Sequence, residues 1–130
     1  MIVLDTHVWL WWVNLDADHL KPAWRTRIEA SEPVGVSAIS CFETAWLVRH
    51  GRVVLPCPLD EWFELALAGS GIELLAITPR IARVAAELPE HHRDPQDRLI
   101  IATTLVHDGT LISVDSKFPL YSELADRLMT

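Results

Sequence analysis

Four acidic residues stand where the chain could bring carboxylates together for metal chemistry. Asp5 directly follows the first apolar run of the sequence, and Asp115 directly follows the last one. Glu43 and Asp97 lie in the first turns of two predicted helices. In parallel α/β sheets, strand ends and helix starts of this kind meet at the carboxyl edge of the sheet. We therefore expect Asp5, Glu43, Asp97 and Asp115 to converge.

Such a cluster favours a hard divalent cation. Like charges within about 4–6 Å repel, so at least one acid takes up a proton unless a cation is bound. Oxygen ligands without a required His or Cys favour Mg²⁺, with Mn²⁺ as a substitute, over Zn²⁺. A cation of this kind activates water and neutralises developing charge on a phosphodiester. The residue types thus predict metal-dependent phosphodiester hydrolysis.

Each acid also has a purely structural interpretation. Glu43 could complete a capping box that begins at Ser40. Asp97 could only complement the dipole of its helix, and Asp115 could be a turn residue after a strand. Asp94, just before Pro95, is typical of a helix cap. Only the joint placement of the four acids favours the metal site.

The histidines and cysteines show no metal-binding pattern. The six histidines are scattered, and the adjacent pair His91 and His92 is expected to be a solvated loop segment. Cys41 and Cys57 form no CxxC pair and no zinc spacing. Two thiols suit a reducing compartment.

Strands and helices are expected to alternate along the whole chain. Short apolar runs bounded by Pro and Gly predict buried strands, and 3.6-residue periodicity predicts helices between them. This alternation predicts an α/β fold with a short, central, mainly parallel sheet covered by helices on both faces. The expected strands are 2–4, 34–37, 72–77 and 111–114, and the expected helices include 40–50, 79–88, 94–107 and a C-terminal one over 121–128.

Length and composition describe an ordinary folded protein. The chain has 130 residues, of which 50% are apolar and 22% are charged, and we expect a single domain over 1–130. A formal net charge of −7 argues against polyanion binding by bulk attraction, so nucleic-acid contact needs a local basic patch or a metal ion. No signal or membrane segment is expected, which predicts a cytoplasmic protein with no membrane partner.

The sequence resembles the PIN-domain family, and within it the VapC ribonuclease toxins of bacterial toxin–antitoxin pairs. The resemblance covers nearly the whole chain in order. It is carried by the segments Leu4-Asp5-Thr6-His7-Val8, Ser37-Ala38-Ile39-Ser40 leading to Glu43, His92-Arg93-Asp94-Pro95-Gln96-Asp97-Arg98, and Ser113-Val114-Asp115. Gln96 and Thr104 depart from the usual pattern of this branch, which bears on substrate preference more than on chemistry.

The resemblance implies a PIN-like α/β/α sandwich and Mg²⁺-dependent cleavage of cellular RNA. It implies that the four acids hold the metal, with Thr6, Asp94 and Ser113 as supporting residues around them. It also implies a homodimer and a small VapB-like antitoxin that blocks the site in a toxin–antitoxin hetero-oligomer. The only candidates for a local phosphate-binding patch are arginines, of which Arg49, Arg93 and Arg98 flank the site.

Two other functions remain open from the sequence. A catalytically silent PIN scaffold that acts only by binding a partner would keep the same acids. A phosphoryl-accepting signalling domain has a similar size and element order, but it needs paired acids after the first strand, where only Asp5 stands. A DxD-type phosphatase is disfavoured because Asp5 is followed by Thr6 and His7.

Overall fold

The protein is described by a computed structural model that covers residues 1–30 and 32–130. The strands are β1 Ile2–Leu4, β2 Val34–Ser37, β3 Ile72–Leu75, β4 Thr110–Ile112 and β5 Leu128–Met129. The helices are α1 Thr6–Val13, α2 Pro22–Glu29, α3 Ala38–Arg49, α4 Leu59–Ala66, α5 Pro79–Glu87 and α6 Pro95–Val106, with single 3₁₀ turns at Ala68–Ser70, Phe118–Leu120 and Ser122–Leu124.

The five strands form one parallel sheet in the order β3-β2-β1-β4-β5. The first strand of the chain is therefore the central one, and it pairs with β2 on one side and β4 on the other. This confirms the expected parallel α/β architecture. It also places the ends of β1 and β4 side by side, because Leu4 is in register with Ile112.

Successive residues of β1 pack into opposite layers, as the two-residue period of a strand requires. Ile2 and Leu4 lie in a core layer that contains Trp9, Trp24 and Trp62, whereas Val3 lies in the other layer. The second layer is built from α6 and from the C-terminal turns, and its buried members are Leu75, Leu88, Ile100, Ile101, Leu111, Phe118, Tyr121 and Leu124. Helices thus cover both faces of the sheet, and the expected sandwich of layers is present.

Two local expectations are wrong. The capping box at Ser40 does not form, because β2 passes into α3 without a loop and the last strand residue, Ser37, becomes the cap by accepting from the Ile39 amide. Glu43 consequently lies in the second turn of α3. The helix expected over 121–128 is replaced by 3₁₀ turns and β5, whose backbone completes the edge of the sheet beside β4.

Within the described residues, no helix has the length and apolar character needed to span a bilayer.

Candidate functional site

Asp5 lies at the carboxyl edge of the sheet and is tied to both neighbouring elements. It ends β1 and caps α1, so its Oδ1 accepts from the Thr6 amide at 2.8 Å. Its Oδ2 accepts from the Ser113 hydroxyl at 2.6 Å, just beyond β4. Only 8% of the residue is exposed. These two bonds fix both oxygens of a carboxylate that has little contact with water.

Glu43 reaches the same edge from α3. Its Oε1 lies 2.7 Å from the hydroxyl of Thr6, which also lies 2.9 Å from the hydroxyl of Ser40. A hydroxyl has one hydrogen, so Thr6 donates to the ionised Glu43 and Ser40 donates to Thr6. Ser40 therefore orients the glutamate through Thr6, although the sequence suggested a helix cap for it.

Asp97 and Asp115 meet around a histidine. The Nε2 atom of His92 lies 2.8 Å from Asp97 Oδ2 and 3.2 Å from Asp115 Oδ2. Asp115 is further held by the Lys117 amide, which donates to its Oδ1, and by its own amide, which donates to Ser113 Oγ. The side chain of His92 is only 13% exposed. The expectation that His92 is a solvated loop residue is therefore wrong, whereas His91 is exposed.

The charges of the four acids act on one another. Burial, together with the charges of Asp5, Asp94, Asp115 and Glu43, raises the pKa of Asp97 to about 8. Burial also raises the pKa of Asp5 and of Glu43, against the hydrogen bonds from Ser113 and Thr6 that lower them. The acids that the sequence predicted to converge are close enough to repel one another.

The supporting residues occupy distinct positions around the cluster. Asp94 caps α6 by accepting from the Gln96 amide, and it stays exposed. Arg98 donates all four of its terminal N–H groups to the backbone carbonyls of Ala86, Leu88, Pro89 and His92. Its guanidinium thus holds the segment between α5 and α6 in place. Arg49 and Arg93 are exposed at the end of α3 and just before α6.

The chemistry of this donor set fits a divalent cation. The pKa values of Asp5, Glu43 and Asp97 are raised, in part by repulsion between neighbouring carboxylates, and a bound cation relieves that repulsion. Oxygens of Asp97 and Asp115 lie within 4.8 Å of each other and of His92 Nε2. A group of this size can surround one ion, so these three residues fit a metal centre. Asp5 and Glu43 are not members of this 4.8 Å group and are linked to it through Ser113 and Thr6.

The sequence could not identify His92 as part of this site. Its spacing from Asp97 matches no ligand motif, and it precedes the helix in a segment rich in polar residues. The signal lies in three dimensions, where Tyr121 Oη accepts from the His92 amide at 2.9 Å and Arg98 binds its carbonyl. Tyr121 lies 29 residues away, and the contact with Arg98 depends on how the loop folds back against α6, so a pattern of neighbouring residues does not reveal either bond.

Comparisons with known proteins agree with this arrangement. A family model described as the PIN domain matches residues 2–124. The chain is 36% identical to ribonuclease VapC22 of Mycobacterium tuberculosis over 117 residues, which is 89% of this chain and 88% of that protein.

Solved structures share the fold at lower sequence identity. VapBC2 from Rickettsia felis, bound to a DNA fragment from its promoter, has a TM-score of 0.72 at 18% identity, covering 99% of this chain and 98% of that chain. A toxin–antitoxin complex from Klebsiella pneumoniae has a TM-score of 0.65 at 19% identity, covering 100% and 97%. FitAcB from Neisseria gonorrhoeae has a TM-score of 0.63 at 20% identity, also covering 100% and 97%.

Proposed function

Because this chain belongs to the PIN-domain family, we propose that it is a metal-dependent endoribonuclease that acts as the toxin of a toxin–antitoxin pair. The observation that carries the proposal is the meeting of Asp5, Glu43, Asp97 and Asp115 at the carboxyl edge of the sheet. The 36% identical relative is named a ribonuclease, which supports RNA as the substrate. The same acids would be present in a silent scaffold, so the test must measure turnover.

The four acids would hold the cation, with Mg²⁺ as the ion of first choice and Mn²⁺ as a substitute. When bound, the cation supplies an activated water and neutralises charge on the phosphodiester. The chain itself holds the carboxylates in place. Thr6 fixes one oxygen of Glu43, and Ser113 fixes one oxygen of Asp5 while it accepts from the Asp115 amide. These bonds keep the acids oriented without using water.

RNA must approach an acidic protein, and exposed arginines near the cluster support its capture. Arg93 directly precedes Asp94, whose charge raises the pKa of both Asp97 and Glu43. Arg49 lies on the helix that carries Glu43. We assign the phosphate contact to Arg49 and Arg93, and we assign Arg98 to the support of the loop because its terminal donors are occupied by carbonyls.

Cleavage of RNA by the purified protein tests the proposal. Asp5→Asn and Asp97→Asn keep the shape of the side chain and remove its charge, so we expect each to lower the cleavage rate about 100-fold or more in Mg²⁺. Excess chelator should abolish cleavage by the natural chain. Asp18→Asn is the matched control, because Asp18 is an exposed acid outside the cluster.

Three results would contradict the proposal. Cleavage that persists in chelator would show that no metal is needed. Equal cleavage by Asp5→Asn, Asp97→Asn and Asp18→Asn would show that the acid cluster is not the active site. If the natural chain binds its antitoxin yet cleaves no cellular RNA, the silent-scaffold function replaces the nuclease.

We also propose a small antitoxin partner, a homodimer and a cytoplasmic location. Neighbours of the same fold are solved as toxin–antitoxin complexes, which supports the partner. Large apolar side chains are about half exposed at Phe42, Trp46 and Leu65, and such side chains favour protein interfaces. Light scattering of the purified chain measures the oligomeric state. Co-expression with the protein of an adjacent small reading frame should restore growth if that protein is the antitoxin.

A further inference from the structure

His92 lies between Asp97 and Asp115, and a metal site made of the four acids alone does not account for its position. We propose that His92 is a nitrogen ligand of the bound cation, which strengthens the binding of Mn²⁺ or a similar transition-metal ion relative to that of Mg²⁺. This inference rests on the proposed metal centre and specifies its ligand set. It concerns which ion the site selects, and it can fail while the centre itself stands.

Two spacings within a group of three side-chain atoms match those between adjacent ligands of an octahedral site. Adjacent ligands of an ion with metal–ligand bonds of about 2.1 Å lie about 3 Å apart. His92 Nε2 lies 2.8 Å from Asp97 Oδ2 and 3.2 Å from Asp115 Oδ2, on either side of that value. The three atoms lie within 4.8 Å of one another. The ring nitrogen therefore already stands in a ligand position relative to both carboxylates.

His92 is held in this position by elements on both sides. Its amide donates to Tyr121 Oη at 2.9 Å, and its carbonyl accepts from Arg98 at 3.0 Å. Tyr121 is 1% exposed, and the His92 ring packs near Phe118 with centroids 6.1 Å apart. A surface histidine that met the acids by chance would not need two backbone anchors. The anchors hold the backbone of His92, and the contacts with Phe118 and the two carboxylates place its ring before any ion arrives, which lowers the cost of binding.

The type of ligand atom determines which metal ions the site binds more tightly. Imidazole nitrogen suits first-row transition metals, whereas Mg²⁺ prefers oxygen and keeps its waters. A neutral ring also adds a ligand without adding a fifth negative charge to a crowded acidic site. Binding through His92 should therefore favour Mn²⁺ over Mg²⁺ beyond the preference of carboxylates alone.

Pulsed electron paramagnetic resonance of the Mn²⁺-loaded full chain tests the inference directly. With ¹⁵N-labelled histidine, we expect a coupling between Mn²⁺ and one directly bound nitrogen. His92→Gln should remove this coupling and raise the Kd for Mn²⁺ about tenfold, as measured by calorimetry, while the Kd for Mg²⁺ changes less than about threefold.

Two histidines provide matched controls. His91→Gln changes the exposed neighbour in the same loop, and His7→Gln changes a histidine whose charge lowers the pKa values of Asp5 and Glu43. Both variants should keep the nitrogen coupling and the Mn²⁺ affinity. Circular dichroism of all three variants verifies folding, and the coupling in the natural chain does not depend on any variant.

The possible outcomes distinguish a failure of His92 as a ligand from a failure of the metal centre itself. Mn²⁺ bound without nitrogen coupling, or with coupling that survives in His92→Gln, overturns the inference and leaves the metal centre intact. Tighter Mn²⁺ binding by His92→Gln also overturns it, because His92 would then compete with the ion for the acids. If the natural chain binds neither Mn²⁺ nor Mg²⁺, the proposed metal centre fails together with its ligand.

Discussion

Asp97 keeps its proton up to near-neutral pH in the metal-free protein. Its pKa is 3.8 in the unfolded chain and about 8 in the fold, because burial and the nearby carboxylates disfavour its charge. Between these values the folded state binds more protons than the unfolded state. The stabilisation present below pH 3.8 is therefore lost as the pH rises through about 8.

We expect the free energy of unfolding of the metal-free protein to fall as the pH rises from about 4 to 8. Asp97→Asn should flatten this dependence and raise stability at pH 8 by about 2 kcal/mol, less than the full shift implies because solvent screens part of the repulsion. Urea titrations in chelator across this range measure the effect, with Asp18→Asn as the control. An Asp97→Asn variant that keeps the slope of the natural chain would contradict the expectation.

Some residues of the candidate site can be predicted from the sequence, and others cannot. Asp5 could be predicted as a site residue because it ends a buried strand, and its position follows from the strand alone. His92 could not, since its place depends on Tyr121 and Arg98, which belong to other elements. A residue positioned by its own helix or strand is predictable, and one positioned by tertiary hydrogen bonds is not.

At the scale of elements, the segment between α5 and α6 depends on one guanidinium. Arg98 bonds four backbone carbonyls there, including that of His92. Arg98→Lys keeps the charge but cannot reproduce the planar fork, so we expect a loss of about 2 kcal/mol in unfolding free energy. Hydrogen exchange should also rise in residues 88–94.

The neighbouring pair of Arg83 and Glu87 offers a matched control. This pair lies exposed on α5, so Arg83→Lys should change stability by less than about 0.5 kcal/mol. Equal stability of Arg83→Lys and Arg98→Lys would mean that the four carbonyl bonds contribute nothing measurable.

Elements with strong local signals were predictable, and elements that depend on pairing were not. Helix α6 begins at Asp94 and Pro95, as its cap and first-turn proline indicate. The C-terminal strand is only two residues long, and it forms because the Ser113 amide donates to the Met129 carbonyl and the Leu111 amide donates to that of Arg127. Nothing in its own composition separates such a strand from a short helix.

For the molecule as a whole, a net charge of −7 makes RNA capture dependent on local cations. Arg93→Glu should therefore lower kcat/KM for RNA about tenfold at low salt, with a smaller effect at high salt because screening weakens the field. Arg25→Glu makes the same charge change on α2, which leads into the amino end of β2. Equal losses in both variants would indicate a diffuse charge effect instead of a contact near the site.

The order of the strands has a consequence during translation. The central strand β1 leaves the ribosome first, yet Ser113, which fixes Asp5, follows it 108 residues later. A nascent chain shorter than this lacks both the hydroxyl that fixes Asp5 and the carboxylate of Asp115. The ribosome that makes the proposed nuclease therefore faces an incomplete acid cluster until synthesis has passed Asp115.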